Sequence, residues 1–497
     1  DLTATETGVE ARGDLRVQGV PAEIFWQRVF YAPDDRQPPI RVTATLDEAT
    51  REQLGLKLNH LIKGPTPVTL SITSLGQADQ TINLQADLTQ ARLLFDNVGW
   101  TKPAGRAASV QFDMEQKEDG SVDLQNFTIL GDDIAVNGLI SLDPEQRLKS
   151  FYFPHFSVSA LTHVEITGAI GDDKVLDIKV EGQSFDGRQF FQSLFSADQL
   201  AASGSADAGD WSGIDFTAEI GTVVGSYDTT VKDLHATMQK RDGRLVALDA
   251  KGNLNGKSPA AVKLEQQSGA RLIKSEALDA GSAFRLVGFY PSVEGGEATL
   301  QVNLDAGTAG AMSGTLWVRD FTVVGDSVVD DVLTDPHSTA VLGDGKKKQQ
   351  QQRSRIGFTQ LRAPFSVGGG KFRLHDAYMN GPSLGATMRG TADFKAQTVD
   401  LGGTYVPLYG LNSALGAIPI LGRVLVGRQG EGVVGITFAI KGKLDDPSVL
   451  VNPMSVMTPG IFRQIFEFTG SVPDQTAPSS PSSFMEPGAH YTETAPQ

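Results

Sequence analysis

The chain has no cysteine. Disulfide staples and thiolate metal sites are excluded, and an oxidising compartment is compatible with that lack without being required by it. Histidine is scarce, with seven residues in 497. None stands at H-x-x-x-H spacing, and His155 and His163 are the nearest pair, so no metal site is expected. An excess of cations is missing as well. The formal net charge of −16 argues against a nucleic-acid partner and against broad adhesion to anionic lipid. Plain solubility is the simplest reading of that acidic balance.

Long apolar runs are also lacking. Residues 408–426 come nearest, but Asn412, Pro419 and Arg423 interrupt them, so a spanning helix is not expected. A helix pair resting on an apolar surface fits better. The chain opens Asp-Leu-Thr-Ala-Thr, with no basic or apolar leader segment. The expectation is a C-terminal piece of a longer protein, or a mature form.

What is present favours β-structure. Hydrophobic residues make up 40% of the chain, enough for a core, and glycine is abundant at 54 residues. From Pro67 onward apolar and polar residues alternate in short runs: Val68–Ile72, Ile82–Leu84, Ser109–Phe112, Val122–Leu124, Phe127–Ile129 and Ile134–Val136. Val164–Ile166 and Leu176–Val180 continue the pattern. Gly, Asn or Asp separates most runs at roughly 8–12 residues, the spacing of an antiparallel all-β architecture.

The pattern resumes after Gly213 in Ile214–Phe216, Leu245–Leu248, Val262–Leu264, Phe284–Leu286, Ala298–Leu304 and Gly314–Phe321. It goes on through Phe365–Val367, Lys371–Leu374, Ala386–Met388 and Val433–Lys443. No fixed period marks a countable solenoid. Three helices are expected early on: Pro21–Phe30, a segment from Leu46 carrying Leu54, Leu58 and Leu61, and Arg188–Phe195. Asp47 and Glu48 suit the positive end of the second. The insert Gly343–Arg355 reads as a polar loop, with a basic contact to lipid phosphate as the sharper alternative. Residues 471–497 are rich in Pro, Ser and Thr and are expected to be disordered.

The stretch from Leu401 to Phe468 is the most specific. A strand ends at Pro407, and Asn412 can cap a short helix. Pro419 can open a second. Asp445-Asp446-Pro447 turns the chain into Val449–Val451, and Pro459 can open a last helix. This order resembles the C-terminal signature of the AsmA-like proteins of Gram-negative bacteria, in the branch with a DUF3971-type region ahead of it. Gly403 to Asn412 match G-T-x-V-P-x-Y-x-L-N, and Ile418 to Gly422 match I-P-x-L-G. Gly442 to Ser455 match G-x-L-x-x-P-x-V-x-V-N-P-x-S, and Pro459 to Arg463 match P-G-x-x-R.

That resemblance implies an elongated, curved antiparallel sheet whose apolar face lines a groove, in the manner of bridge-like lipid transporters. Residues 1–210 would be the DUF3971-like part, 211–470 the C-terminal groove and 471–497 the tail. It implies a periplasmic protein anchored in the inner membrane upstream of this chain, passing phospholipid toward the outer membrane without cofactor or catalysis. The alternative is an assembly factor for envelope proteins, with sheets packed dry on themselves. Periodicity alone cannot separate the two.

The alternating apolar residues Ile134, Val136, Val164, Ile166, Leu176, Ile178, Val180, Phe284, Leu286, Leu300, Val302, Val434, Ile436, Phe438 and Ile440 are the groove candidates, with ordinary core as the plain alternative. Membrane or partner docking would fall to Leu408, Leu411, Leu415, Ile418, Leu421, Leu425, Ile461, Phe462, Ile465 and Phe466.

Catalytic motifs fail on context. Gly381-Pro-Ser383-Leu-Gly385 fits the nucleophile elbow, but a strand follows where a helix is needed, and His375 lies upstream. A turn between strands is expected there, and an enzyme is not. Gly252 to Ser258 miss the P-loop spacing by one residue and read as a hairpin turn. The acidic pairs Asp132-Asp133, Asp172-Asp173 and Asp445-Asp446 fall where turns want Asp.

Overall fold

The computed structural model describes residues 1–33, 36–74, 80–95, 100–193, 211–306, 311–325, 355–382, 384–407, 436–444 and 447–452. The chain starts with β1 (Leu2–Ala4), β2 (Gly8–Val17), β3 (Val20–Val29) and β4 (Ile40–Leu46). Helix α1 (Glu48–Gln53) and β5 (Ile62–Lys63) follow, then β6 (Thr66–Ser74), β7 (Gln80–Asp87), β8 (Arg92–Phe95) and β9 (Trp100–Lys102). Next come β10 (Ala108–Gln116), β11 (Val122–Gly131), β12 (Ala135–Leu142), β13 (Leu148–Ser157), β14 (His163–Ile170) and β15 (Val175–Asp186).

Helix α2 (Arg188–Ser193) precedes β16 (Gly213–Val224), β17 (Thr230–Arg241), β18 (Arg244–Leu254), β19 (Ser258–Gln267) and β20 (Ala270–Ala277). Helix α3 (Ala280–Leu286) leads into β21 (Val293–Asn303), β22 (Met312–Val324), β23 (Arg355–Gly368) and β24 (Lys371–Asn380). The last strands are β25 (Leu384–Asp393), β26 (Thr398–Pro407), β27 (Ile436–Lys443) and β28 (Pro447–Asn452).

Among the described residues twenty-five strands form one sheet, and β5, β8 and β9 form a separate three-stranded one. In the large sheet each strand pairs with the next in sequence, with β4 passing to β6 and β7 to β10 across the insertions. Every pairing in it is antiparallel except β15 with β16. Among the described residues β1 and β28 each have a single neighbour, so the sheet is open.

Two-residue turns explain much of this meander. Asp242-Gly243, Ser268-Gly269 and Gly369-Gly370 all take positive φ, the mirror-image turn whose twist matches a hairpin. The Gly252–Ser258 stretch closes the β18–β19 hairpin through Asn255 and Gly256, also at positive φ.

Because strands alternate in direction, the connections fall on two long edges. One edge carries α1, the small sheet, the start of α2, and α3. Gln53 Nε2 of α1 donates to Gln18 O in the β2–β3 turn at that edge (2.8 Å). The strand ends flanking residues 326–354 and 408–435 lie there as well. The opposite edge carries turns and loops only, among the described residues.

Several sequence expectations give way. Pro21–Phe30 is strand, not helix: β3 pairs with β2 over ten residues from Gly8↔Val29 to Val17↔Val20. Its mixed pattern is compatible with a helix, but the Gln18-Gly19 turn and the cross-strand pairing decide otherwise. Phe25 and Trp26 therefore face opposite sides, and Arg12 stacks on Phe25 at 5.0 Å. Helix α1 is capped by Asp47, whose side chain accepts from Thr50 N, and ends at Gln53, so Leu58 and Leu61 lie outside it. Phe284 and Leu286 sit on helix α3, N-capped by Asp279, rather than on a strand. Val122–Leu124 and Phe127–Ile129 are one strand with a bulge, where Asn126 takes φ 51. Arg188–Ser193 is helical as expected.

Candidate functional site: the apolar face

The register lets one face be followed from strand to strand. Val42 lies beside Leu70, Leu70 beside Leu84, and Leu84 beside Phe112. Leu124 lies beside Ile140, Ile140 beside Phe151, Phe151 beside Gly168 and Gly168 beside Ile178. Ile178 meets Phe216, Phe216 meets Met238, and Met238 meets Leu248. Ala250, Val262, Ser275, Leu300 and Leu316 continue the row. Leu361, Met379, Ala386 and Tyr405 carry it to β26, and on β27 Phe438 lies beside Gly403.

The other face is polar along a parallel line. Thr167, Lys179, Thr217, Thr237, Asp249, Lys263, Lys274, Gln301 and Thr315 stand side by side in register. A period of two within each strand, kept in phase by the turns, produces this two-sidedness.

Bulges extend the apolar face where simple alternation would break it. Val318 and Phe321 are three apart, yet both belong to the same core cluster, because Asp320 between them takes φ 49. Val180 and Phe185 share that cluster across the irregularity between the β14 pairings of Gly182 and Ser184. An extra residue flips the alternation and bends the strand.

Phenyl rings floor much of the surface. Phe112 and Phe127 stack with centroids 6.0 Å apart, Phe127 and Phe153 are 5.8 Å apart, and Phe151 and Phe153 5.4 Å. Farther on, Phe321 stacks on Phe358 at 5.2 Å and Phe365 on Phe372 at 5.4 Å. Some rings lie flat over glycines of the neighbouring strand: Phe151 over Gly168, Phe365 over Gly314 and Phe438 over Gly403, where a Cβ would collide with the ring.

Burial is uneven. Toward the embellished edge Val223, Leu254, Val293, Val323 and Phe358 are buried beside α3 and the returning strands. The small sheet buries Leu93 in a second cluster with Ala108, Ile134 and Val136. Leu70, Leu84, Ala236, Leu248 and Leu264 are half-buried, whereas Leu176, Ile214, Val367 and Val399 toward the opposite edge are buried.

Two buried cations hold the insertions in place. The Lys102 ammonium, 3% exposed, donates to the carbonyls of Ala91 (2.9 Å), Arg106 (2.9 Å) and Pro103 (3.0 Å), pinning the small sheet. Burial, reinforced by Arg106, pushes its pKa down. Arg51 donates from α1 to the carbonyls of Leu46 (2.9 Å) and Ile62 (3.0 Å) and to Asn59 Oδ1 (2.8 Å).

Of the sequence-derived groove candidates, Val136, Val164, Ile166, Leu176, Ile178, Val180, Leu300, Val302, Phe438 and Ile440 all fall on the apolar face. Ile134 precedes β12 and is buried under the small sheet. Phe284 and Leu286 join, from α3, the other core cluster, which holds Val180 and Val318. Ile436 lies on β27, and Val434 lies outside the described residues, as do Leu408, Leu411, Leu415, Ile418, Leu421, Leu425, Ile461, Phe462, Ile465 and Phe466. The sequence reading missed the phenyl floor, although Phe112, Phe127 and Phe216 stand at apolar positions of runs it had found.

Catalytic geometry is thin. Ser366 Oγ and His375 Nε2 are 3.1 Å apart on an exposed surface. Burial and Arg373 depress the His375 pKa, but Asp376 beside it is 92% exposed and pairs with Arg389, so this carboxylate does not orient the imidazole. Ser383 lies outside the described residues, between β24 and β25, which pair as a hairpin. Among the described residues no group of three His, Asp or Glu could hold a metal, and no helix is long and apolar enough to cross a membrane. No family model, no curated protein and no solved structure matches the chain.

Proposed function

We propose that the protein is a non-enzymatic conduit for phospholipid, whose acyl chains lie along the apolar face of the large sheet while the headgroups stay in water. The observation that carries this reading is the mostly apolar row that runs across the sheet from β4 to β27, interrupted at Gly168 and Ser275, set against a polar row on the other side from β14 to β22. A sheet this long cannot fold its whole apolar face onto a helix layer, because the described helices are short and confined to one edge. Half-buried Leu70, Leu84, Leu248 and Leu264 leave apolar surface for a ligand with many CH₂ groups, each worth about 0.8 kcal/mol on burial. Placement between an inner and an outer membrane rests on the resemblance of residues 403–412 and 442–455 to AsmA-like proteins. Docking by 408–426 and 459–468 rests on the same ground.

The test is native mass spectrometry with lipid extraction on the protein purified in gentle detergent. Several phospholipids per chain are expected. A Met238→Asp, Leu248→Asp variant puts two carboxylates on the apolar row and should lose lipid while its circular dichroism is unchanged. Thr237→Asp, on the polar row, should keep it. Lipid-free wild-type protein, folded and monodisperse, would overturn the conduit and favour an assembly factor whose apolar surfaces cover one another.

A further inference from the structure

Strands β18 and β19 part company before they reach the edge that carries only turns and loops. Their pairing runs from Asp249↔Lys263 to Leu254↔Ser258 and no farther. On either side the ladders continue to the turns: β17 stays paired with β18 to Arg241↔Arg244, and β19 with β20 to Gln267↔Ala270. Arg244–Leu248 and Leu264–Gln267 therefore have no partner in each other. The sheet is notched here along the β18 residues before Asp249, roughly 16 Å of strand.

The walls of the notch are apolar. Leu248 belongs to the apolar row, and Leu264 lies on the same face two residues beyond Val262. Both are half-buried. Val246, on the β18 side, is 38% exposed.

Its rim is cationic. Lys240 follows Met238 by two residues, so its side chain rises on the apolar side, between Ile214 and Leu245 in register. It is half-buried and makes no ion pair among the described residues. Arg271, across the notch on β20, donates to Leu245 O (2.9 Å) and pairs with Asp305 (2.6 Å). Arg244 reaches the same carboxylate at 3.3 Å, with its side chain 67% exposed. Arg241 is taken by Asp215. Lys240, Arg241, Arg244 and Arg271 thus outnumber Asp215, Asp305 and the turn residue Asp242, in a chain whose net charge is −16.

An ammonium beside apolar walls, with the nearby carboxylates committed to arginines, suits an anion that arrives with apolar surface attached. Guanidinium and ammonium groups together suit phosphate oxygens. The geometry points to the notch between β18 and β19 as a seat for an amphiphile with a phosphate headgroup. The alkyl chain lies on Leu248 and Leu264, and the phosphate meets Lys240 and Arg244. This rests on the conduit reading for its class of ligand, and adds where on the sheet a headgroup is held and by which charges.

The test is calorimetric titration of the whole chain with two soluble probes below their micelle concentrations, dodecyl phosphate and uncharged dodecyl maltoside. Wild type should bind both, with a class of sites for dodecyl phosphate tighter than any for the maltoside. Lys240→Gln combined with Arg244→Gln should weaken that class roughly tenfold or more, as expected for lost charged hydrogen bonds. Its dodecyl maltoside binding and circular dichroism should be unchanged. Lys251→Gln combined with Lys263→Gln removes the same charge from the polar face and should leave both probes unaffected. Unchanged dodecyl phosphate binding in the Lys240–Arg244 variant, or an equal loss in the polar-face pair, would overturn the seat and leave the conduit standing. Inorganic phosphate binding as tightly as dodecyl phosphate would also overturn it, as an anion site without a lipid. Wild type that binds neither amphiphile would overturn seat and conduit together.

Discussion

The two long edges of the sheet are built differently. At one, α1, the small sheet and α3 are packed against strand ends, and the apolar residues there are buried: Val136, Val223, Leu254 and Val323. At the other, turns close directly, and ion pairs tie neighbouring strand ends, as in Arg241–Asp215 (2.6 Å) and Arg271–Asp305 (2.6 Å), or staple a single hairpin, as in Lys117–Asp123 (2.7 Å). Strand pairing needs only a good turn and a matched register. Covering an apolar strip needs additional chain, and the additions are concentrated on one side.

The contrast is sharpest within one strand. Val323 and Met312 lie on the same face of β22, at its embellished and plain ends. Val323→Asp places an unpaired charge at a buried site and should cost about 4 kcal/mol or more, read from chemical denaturation. Met312→Asp, at a half-buried position, should cost about 1–2 kcal/mol because water still reaches the carboxylate. Equal losses would show that the edges are covered alike.

Lys102→Met tests what holds the small sheet. It leaves the carbonyls of Ala91, Pro103 and Arg106 without their donor, a loss of about 2–3 kcal/mol for charged hydrogen bonds. Hydrogen exchange should rise first in β8 and β9, while the plain edge stays protected.

The plain edge answers to acid. Hydrogen bonds from the Arg271 side chain and backbone N–H hold the Asp305 carboxyl well below the usual carboxylate range. Its contribution is complete above the unfolded value, about 3.9, and is lost as pH falls toward the lower folded value. Asp305→Asn should therefore be less stable at neutral pH and show a shallower stability loss below pH ~4. An unchanged acid slope would remove this pair from the account.

The smallest effect belongs to the polar face. Lys263 and Asp249 are 3.6 Å apart and both more than half exposed, so Lys263→Ala should change stability by about 0.5 kcal/mol or less.

The fold class was legible because strands announce themselves through alternation and turn residues. Val68–Ile72, Leu176–Val180 and Lys371–Leu374 became strands, and Gly252–Ser258 became a hairpin turn. The site was legible only in pieces: ten alternating residues fall on one face, but Phe284 and Leu286 come from a helix. Phe321 reaches that face through a residue at positive φ, which alternation alone does not reveal. Residues 20–29 carry a mixed pattern, and pairing with β2 decided their state.

Taken alone, the amino-acid order determined that this protein is made of many short antiparallel strands with turns between them, because a period of two and glycine-rich breaks are local properties. The tertiary structure decided that the apolar sides of successive strands align into one face, that the insertions gather at one edge, and that one connection runs parallel. Those depend on register and on strand direction, which are set by hydrogen bonding between residues far apart in the chain.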